Sequence, residues 1–186
     1  MPRITPCILL CVLASSGCHG AVSAAAPVVD FIQDFDRAEK SPAAGYALVL
    51  HTASSTPHPA ISSPVPGRIV WQLRLPRRGV FHSLVALDGT GSARVRVGIS
   101  DDRVYEERAR ARLTTDQRGW TSLDVDLSSY AGWKWSLFYR PDRIAWRVVL
   151  SADAIDGVPG RVVWAVPVIT TDTDGAREYA RRIAAR

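Results

Sequence analysis

The side chains best suited to proton transfer near neutral pH are four histidines, His19, His51, His58 and His82. A Ser–His–Asp hydrolase needs one of them within reach of an activated hydroxyl and of an orienting acid. No G-x-S-x-G turn occurs anywhere in the chain to present such a hydroxyl. His51 and His58 flank a Pro/Ser-rich segment without a regularly spaced third ligand, so they read as exposed loop residues and not as a zinc set. Asp124 and Asp126 are two apart on an alternating segment and share one face, but a glycosidase places its two carboxylates across the scissile bond. Side by side on one strand they read as solvated positions. These residues predict a protein that is not an enzyme and has no catalytic residues.

The elements that must position any site are strands. Residues 68–75, 80–87, 93–99, 121–127 and 145–150 alternate apolar with polar side chains, the period of half-buried strands. Residues 46–51, 133–139 and 161–169 add three more. Pro167 cannot donate a ladder hydrogen bond, so the last strand is expected to reach a sheet edge there. Turn signals recur every eight to twelve residues, which predicts an all-β protein: an antiparallel jelly-roll β-sandwich of about 8–10 strands. The periodicity of Val28, Phe31, Ile32 and Phe35 predicts a short helix over residues 28–40. Residues 52–67 hold four of the twelve prolines and read as an extended surface crossover.

Four of the six tryptophans fall within residues 119–151. Trp133, Trp135 and Trp146 are in phase with Leu137 and Leu150 and belong to the core. Trp120 opens a strand after a loop and is the one left with a functional case.

If every consecutive strand runs antiparallel, alternate turns gather at the same end of the sandwich. Loops 88–92, 114–119 and 140–144 then form one rim, carrying Asp88, Trp120, Arg140 and Asp142. An aromatic beside an arginine and acids is the equipment of sugar recognition. Loops 100–103, 128–131 and 152–160 form the other rim, carrying Asp101, Asp102, Asp153 and Asp156 near Tyr130, an oxygen-rich set suited to a structural Ca²⁺. Turn aspartates also bond their own backbone, which is the competing reading.

The 186-residue chain carries a formal charge of +5, and the tail from Asp174 contributes Arg177, Arg181, Arg182 and Arg186 against Asp174 and Glu178. The rest is close to balanced, which argues against nucleic acid as a partner. Residues 172–186 form a basic tail that can turn helical, with Ala176, Tyr179, Ala180 and Ile183 on one stripe. Alone such a helix is too short to persist in water, so fraying is expected unless it meets anionic lipid or a partner.

All three cysteines lie in the first eighteen residues, with Arg3 and the apolar run of residues 8–14. That run fits the h-region of a signal peptide over residues 1–17. Ser15-Ser16-Gly17-Cys18 resembles the lipobox of bacterial lipoproteins, with Ser15 where the family usually has leucine. The resemblance implies lipidation of Cys18, a tether over residues 18–27, and a cell-envelope location in the periplasm or at the outer membrane. Cleavage after Val22-Ser23-Ala24 is the alternative and implies secretion. Neither leaves an internal disulfide, so the domain over residues 28–171 must be held by its core.

A second resemblance rests on Gly119-Trp120, on Asp126-Leu127-Ser128-Ser129-Tyr130-Ala131-Gly132 and on Trp164-Ala165-Val166-Pro167. In this order the motifs look like those of bacterial galactose-binding-like jelly-roll domains, the fold of many carbohydrate-binding modules, over residues 46–169. It implies a monomeric glycan-binding domain, many relatives of which carry a structural calcium. The alternative is an envelope module that binds another protein and no sugar.

Overall fold

Strands that alternate apolar and polar residues must bury one face, and here they do so against each other. The structure is a computed structural model, and it describes residues 27–131, 145–156, 160–171 and 173–184. In chain order the strands are β1 (Val29–Asp30), β2 (Glu39–Ser41), β3 (Ala47–His51), β4 (His58–Pro64), β5 (Gly67–Leu73), β6 (Val80–Asp88), β7 (Ser92–Ser100), β8 (Tyr105–Thr114), β9 (Thr121–Asp126), β10 (Trp146–Asp156) and β11 (Arg161–Thr170). Two short helices are α1 (Ser128–Ala131) and α2 (Thr173–Ala184).

These strands form two antiparallel sheets. One has the order β3-β4-β11-β6-β9, with β1 also pairing β11, and the other has the order β2-β5-β10-β7-β8. Between them lies the main core, in which Ile69, Trp71, Val95, Val97, Val148 and Leu150 of the second sheet meet Ile61, Phe81, Val85, Val162 and Trp164 of the first. Burying each such side chain contributes about 1.5–3 kcal/mol. The sandwich and the core role of Trp146 agree with the sequence pattern; Trp133 and Trp135 lie outside the described residues.

Four expectations are corrected. Residues 28–40 do not form one amphipathic helix: they are β1, a 3-10 turn at Phe35–Arg37 and β2. The spacing of Phe31 arises because its fully buried ring closes one end of the core, edge-on to Trp71 at 4.7 Å and to Phe81 at 5.8 Å between centroids. The Pro/Ser-rich crossover is in large part strand β4. Its serines tolerate burial because they are bonded: Ser63 Oγ donates to Val162 O (3.1 Å) and accepts from Trp164 Nε1 (3.2 Å), and Ser62 Oγ accepts from Arg161 Nε (2.7 Å).

Pro167 marks no edge. β11 is a central strand, and Pro167 sits in a bulge between Ala165 and Val168, where the β4 partner ends and β1 takes over. A bulge leaves residues unpaired, so a missing N–H costs nothing there. Val166 beside it has φ +46°, a left-handed backbone in a β-branched residue held by complete burial.

The tail, finally, does not fray. Tyr179, Ala180 and Ile183 of α2 pack on the outer face of the first sheet against Ala60, Val163, Ala165, Val166 and Val168, and Tyr179 Oη donates to Asp30 at 2.8 Å. The apolar stripe that could not sustain a helix in water is sustained by a sheet face that also needs covering.

Phe31→Ala is expected to destabilise the protein by about 3–5 kcal/mol in urea denaturation. A loss below about 1 kcal/mol would show that residues 28–41 dress the surface and do not complete the core.

Candidate functional site

The clearest built surface lies on the outer face of the second sheet and depends on one extra residue. β8 pairs with β7 so that Val97 faces Ala109 while Gly98 faces Glu107, which leaves Arg108 bulged between them. After the bulge Ala109, Ala111 and Leu113 turn toward the core. Tyr105 has the same parity, and without the bulge it would turn inward with them. With it, the Tyr105 ring lies on the outer face, 45% exposed and directly over Gly98. A Cβ added at Gly98 would come within 2.3 Å of the ring, so the glycine is what allows ring and strand to touch.

Around the ring is a groove of about 450 Å³ lined by Arg68, Arg96, Ser151 and Asp153, with Pro42 and Pro66 at one end. Arg96 is paired with Asp153 across neighbouring strands. Partial burial pushes the Tyr105 phenol above its ordinary value, so it is a neutral donor and acceptor at physiological pH. A flat aromatic face beside a guanidinium, a carboxylate and a hydroxyl can stack on the C–H face of a ring and bond its hydroxyls. Of these residues, sequence reasoning singled out only Asp153, and for calcium. The traceable signal was a glycine inside an otherwise clean strand, which marks a bulge or a close approach.

The expected rims form only in part. Loops 88–92 and 114–119 do meet, through Thr115 N–H to Gly91 O at 3.2 Å. Loop 100–103 and the α1 turn also share an end, in a hollow lined by Asp101, Glu106, Arg108, Tyr130 and Trp146. Tyr130 Oη there donates to Glu106 at 2.5 Å, and burial with that bond pushes the phenol far up. Asp156 and Gly160, however, fall at the first end: Asp156 pairs with Ser92, and the Cβ direction of Gly89 meets Gly160 at 3.2 Å. β9 ends and β10 begins at the same end of the sandwich, so strict alternation of turns fails there.

The four aspartates assigned to calcium are therefore not one cluster. Asp101 and Asp102 follow the last residue of β7, whereas Asp156 pairs with its first, Ser92. The nine residues of β7 separate Asp101 from Asp156, a span of roughly 30 Å at about 3.3 Å per residue, and Asp153, opposite Arg94, is still roughly 23 Å from Asp101. Each has its own partner. Asp101 accepts from the N–H groups of Val104 (2.8 Å) and Arg103 (3.0 Å), which hold its carboxyl below the ordinary value. Asp102 pairs with Arg147 at 2.5 Å, Asp153 with Arg96, and Asp156 with Ser92 and Arg112. Among the described residues no group of three or more His, Cys, Asp or Glu side chains could hold a metal ion.

Asp88 and Trp120 share an end, but Arg140 and Asp142 lie outside the described residues, as does Cys18. Trp120 presents its ring edge-on to His51 and His58, each at 5.6 Å, and packs against the cluster under α2. His51 and His58 face each other across β3 and β4, and His58 is buried, so the reading of both as loop residues is corrected. Asp124 is likewise no merely solvated acid, since its Oδ1 lies 2.6 Å from His82 Nδ1. Asp126 caps the α1 turn by accepting from Ser128 N–H at 2.8 Å.

The fold defined by these sheets is a two-sheet antiparallel β-sandwich. It is similar to TmCBM61 in complex with beta-1,4-galactotriose, with a TM-score of 0.54 and 11% identity over 80% of this chain and 100% of that one. It is also similar to an exo-beta-agarase, with a TM-score of 0.55 and 10% identity over 79% of this chain and 25% of that one. At such identities the likeness is one of fold. No family model and no curated protein matches the sequence.

Burial pushes His58 below its ordinary value of 6.5. The unfolded chain then binds a proton that the folded one refuses, so stability is complete above that value and falls as pH drops through it. The melting temperature is expected to fall between about pH 7.5 and about pH 5.5, and to fall less in His58→Asn. Parallel curves for both proteins would refute this role.

Proposed function

We propose that the protein binds glycan through the outer face of the second sheet, as a carbohydrate-binding module carried at the bacterial cell envelope. The observation that carries this is the Tyr105 ring, laid over Gly98 and open to solvent beside Arg68, Arg96, Ser151 and Asp153. Similarity of fold to a module seen with beta-1,4-galactotriose supports the class of ligand. Ring faces give stacking area at low entropic cost, and the Arg96–Asp153 pair supplies fixed donors and acceptors. The reading is of a binding protein and not an enzyme. It displaces the loop rim as the leading site, because the Trp120 ring is already engaged by His51 and His58. Lipidation of Cys18, supported by the Ser15-Ser16-Gly17-Cys18 sequence, would hold the domain at the membrane on a short tether.

A glycan array followed by calorimetric titration tests the first part. Tyr105→Ala should weaken binding about tenfold, the equivalent of about 1.4 kcal/mol, and Gly98→Val, which pushes the ring aside, should do the same. If Trp120→Ala abolishes binding while Tyr105→Ala does not, the rim is the site. If no glycan binds at all, an envelope module for another protein becomes the better reading. For the anchor, Cys18→Ala should release the expressed precursor from membranes; unchanged membrane association would remove lipidation.

A further inference from the structure

On the outer face of the second sheet, strand register gathers positive charge that the sequence spreads over three strands. Arg68, Ser151, Arg96 and Arg110 stand opposite one another on β5, β10, β7 and β8 and form one row across the sheet. At about 4.8 Å between strands the row runs roughly 14 Å. Two residues along, Asp153, Arg94 and Arg112 form the next row. Their neighbours in sequence, among them Ile69, Val95, Val97 and Leu150, fill the core, so alternation turns the arginines outward.

Like charges directly opposite each other on paired strands destabilise a sheet. β7 and β8 carry two such pairs in succession, Arg96 with Arg110 and Arg94 with Arg112. Acids relieve part of this repulsion. Asp153 pairs with Arg96, Glu107 with Arg110 at 3.3 Å, and Asp156 with Arg112 at 3.2 Å. Arg68 and Arg94 are exposed and have no carboxylate partner among the described residues. Both guanidiniums stay charged at any physiological pH and keep their donors open to a ligand.

These two arginines flank the groove in which Tyr105 lies over Gly98. Arg68 lines it, and Arg94 stands one pleat beyond Arg96. The groove therefore has an apolar side, made by the Tyr105 ring and Val149, and a cationic side. A neutral sugar would satisfy the ring and leave the two guanidiniums unmatched, whereas their planar forks fit a carboxylate or a sulfate. Arg68 and Arg94 lie two strands and two residues apart, roughly 12 Å between Cα atoms. That spacing suits charges repeated along a chain more than one small anion.

We propose that the glycan bound on this face is an anionic polysaccharide, whose carboxylates or sulfates accept from Arg68 and Arg94 while a sugar ring stacks on Tyr105. This rests on the glycan reading of the groove and narrows its ligand.

Calorimetric titration of the full-length protein tests it, with sodium polygalacturonate against its methyl ester, dextran sulfate against dextran, and unsubstituted galactan. At least one charged chain is expected to bind about tenfold or more tightly than its uncharged counterpart, and the two arms distinguish carboxylate from sulfate. Arg68→Gln and Arg94→Gln should each weaken that binding about tenfold, the loss of one charge-assisted hydrogen bond, and Tyr105→Ala should weaken it too. Arg177→Gln, on α2 at the opposite face, removes the same charge and should leave the binding unchanged. Because Arg68 and Arg94 are exposed, their substitution is expected to leave the melting temperature in place, which separates lost binding from lost folding. Equal losses in Arg177→Gln, or equal affinity for a single-stranded DNA of matched charge, would overturn the proposal by showing general attraction of polyanions. If galactan binds through Tyr105 and the charged chains bind no better than their uncharged counterparts, charge selection falls and the glycan reading stands. If no glycan binds, charged or neutral, both fall.

Discussion

The structure depends on β11 being buried on both of its faces. One face, with Val162 and Trp164, fills the core between the sheets; the other, with Val163, Ala165 and Val168, would be an apolar stripe on the outside of the sandwich. An antiparallel sheet can leave one side in water only if that side is polar. Here it is not, so something must cover it, and α2 does. The same need explains why β11 is central, with β4 and then β1 on one side and β6 on the other, and why the bulge at Pro167 sits where one partner hands over to the next.

Covering that face with a twelve-residue helix has a consequence for chemistry. A cylinder laid on a sheet seals the stripe directly beneath it and leaves a hollow along its flank. His82, His58 and Ser122 look into that hollow, which is how imidazoles on a sheet's outer face come to be buried. The second sheet carries no such helix among the described residues. Its outer face is a shallow groove, and its polar groups pair across strands, as Arg96 does with Asp153. One sandwich thus has one outer face with an exposed aromatic ring and another packed beneath a helix.

Much of the fold could be read from single segments. β5, β7 and β9 alternate so cleanly that strand, face and core membership follow from period two alone. The segments that misled were those whose fate depends on a distant partner. Phe31 and Ile32 have helical spacing because one ring plugs the core and its neighbour packs beside it. Ser62 and Ser63 look like loop residues until Val162, Trp164 and Arg161 supply their bonds. The rims were misjudged because parity is a product of every crossing, and β9 ends and β10 begins at the same end of the sandwich, which relocates the turn after β10.

By itself the sequence determined the all-β class, the sandwich and the identity of most of the core, because burial of alternating apolar side chains is a local pattern with a single solution. It also carried the charge balance and the cysteine placement that motivate an envelope protein. Only the tertiary structure decided what the polar residues do. Tyr105 shares its parity with core residues and reaches solvent through a one-residue bulge; His82 and Asp124 are forty-two positions apart and meet through strand register. Register and bulges are set by packing across the whole sandwich, so no stretch of sequence contains them.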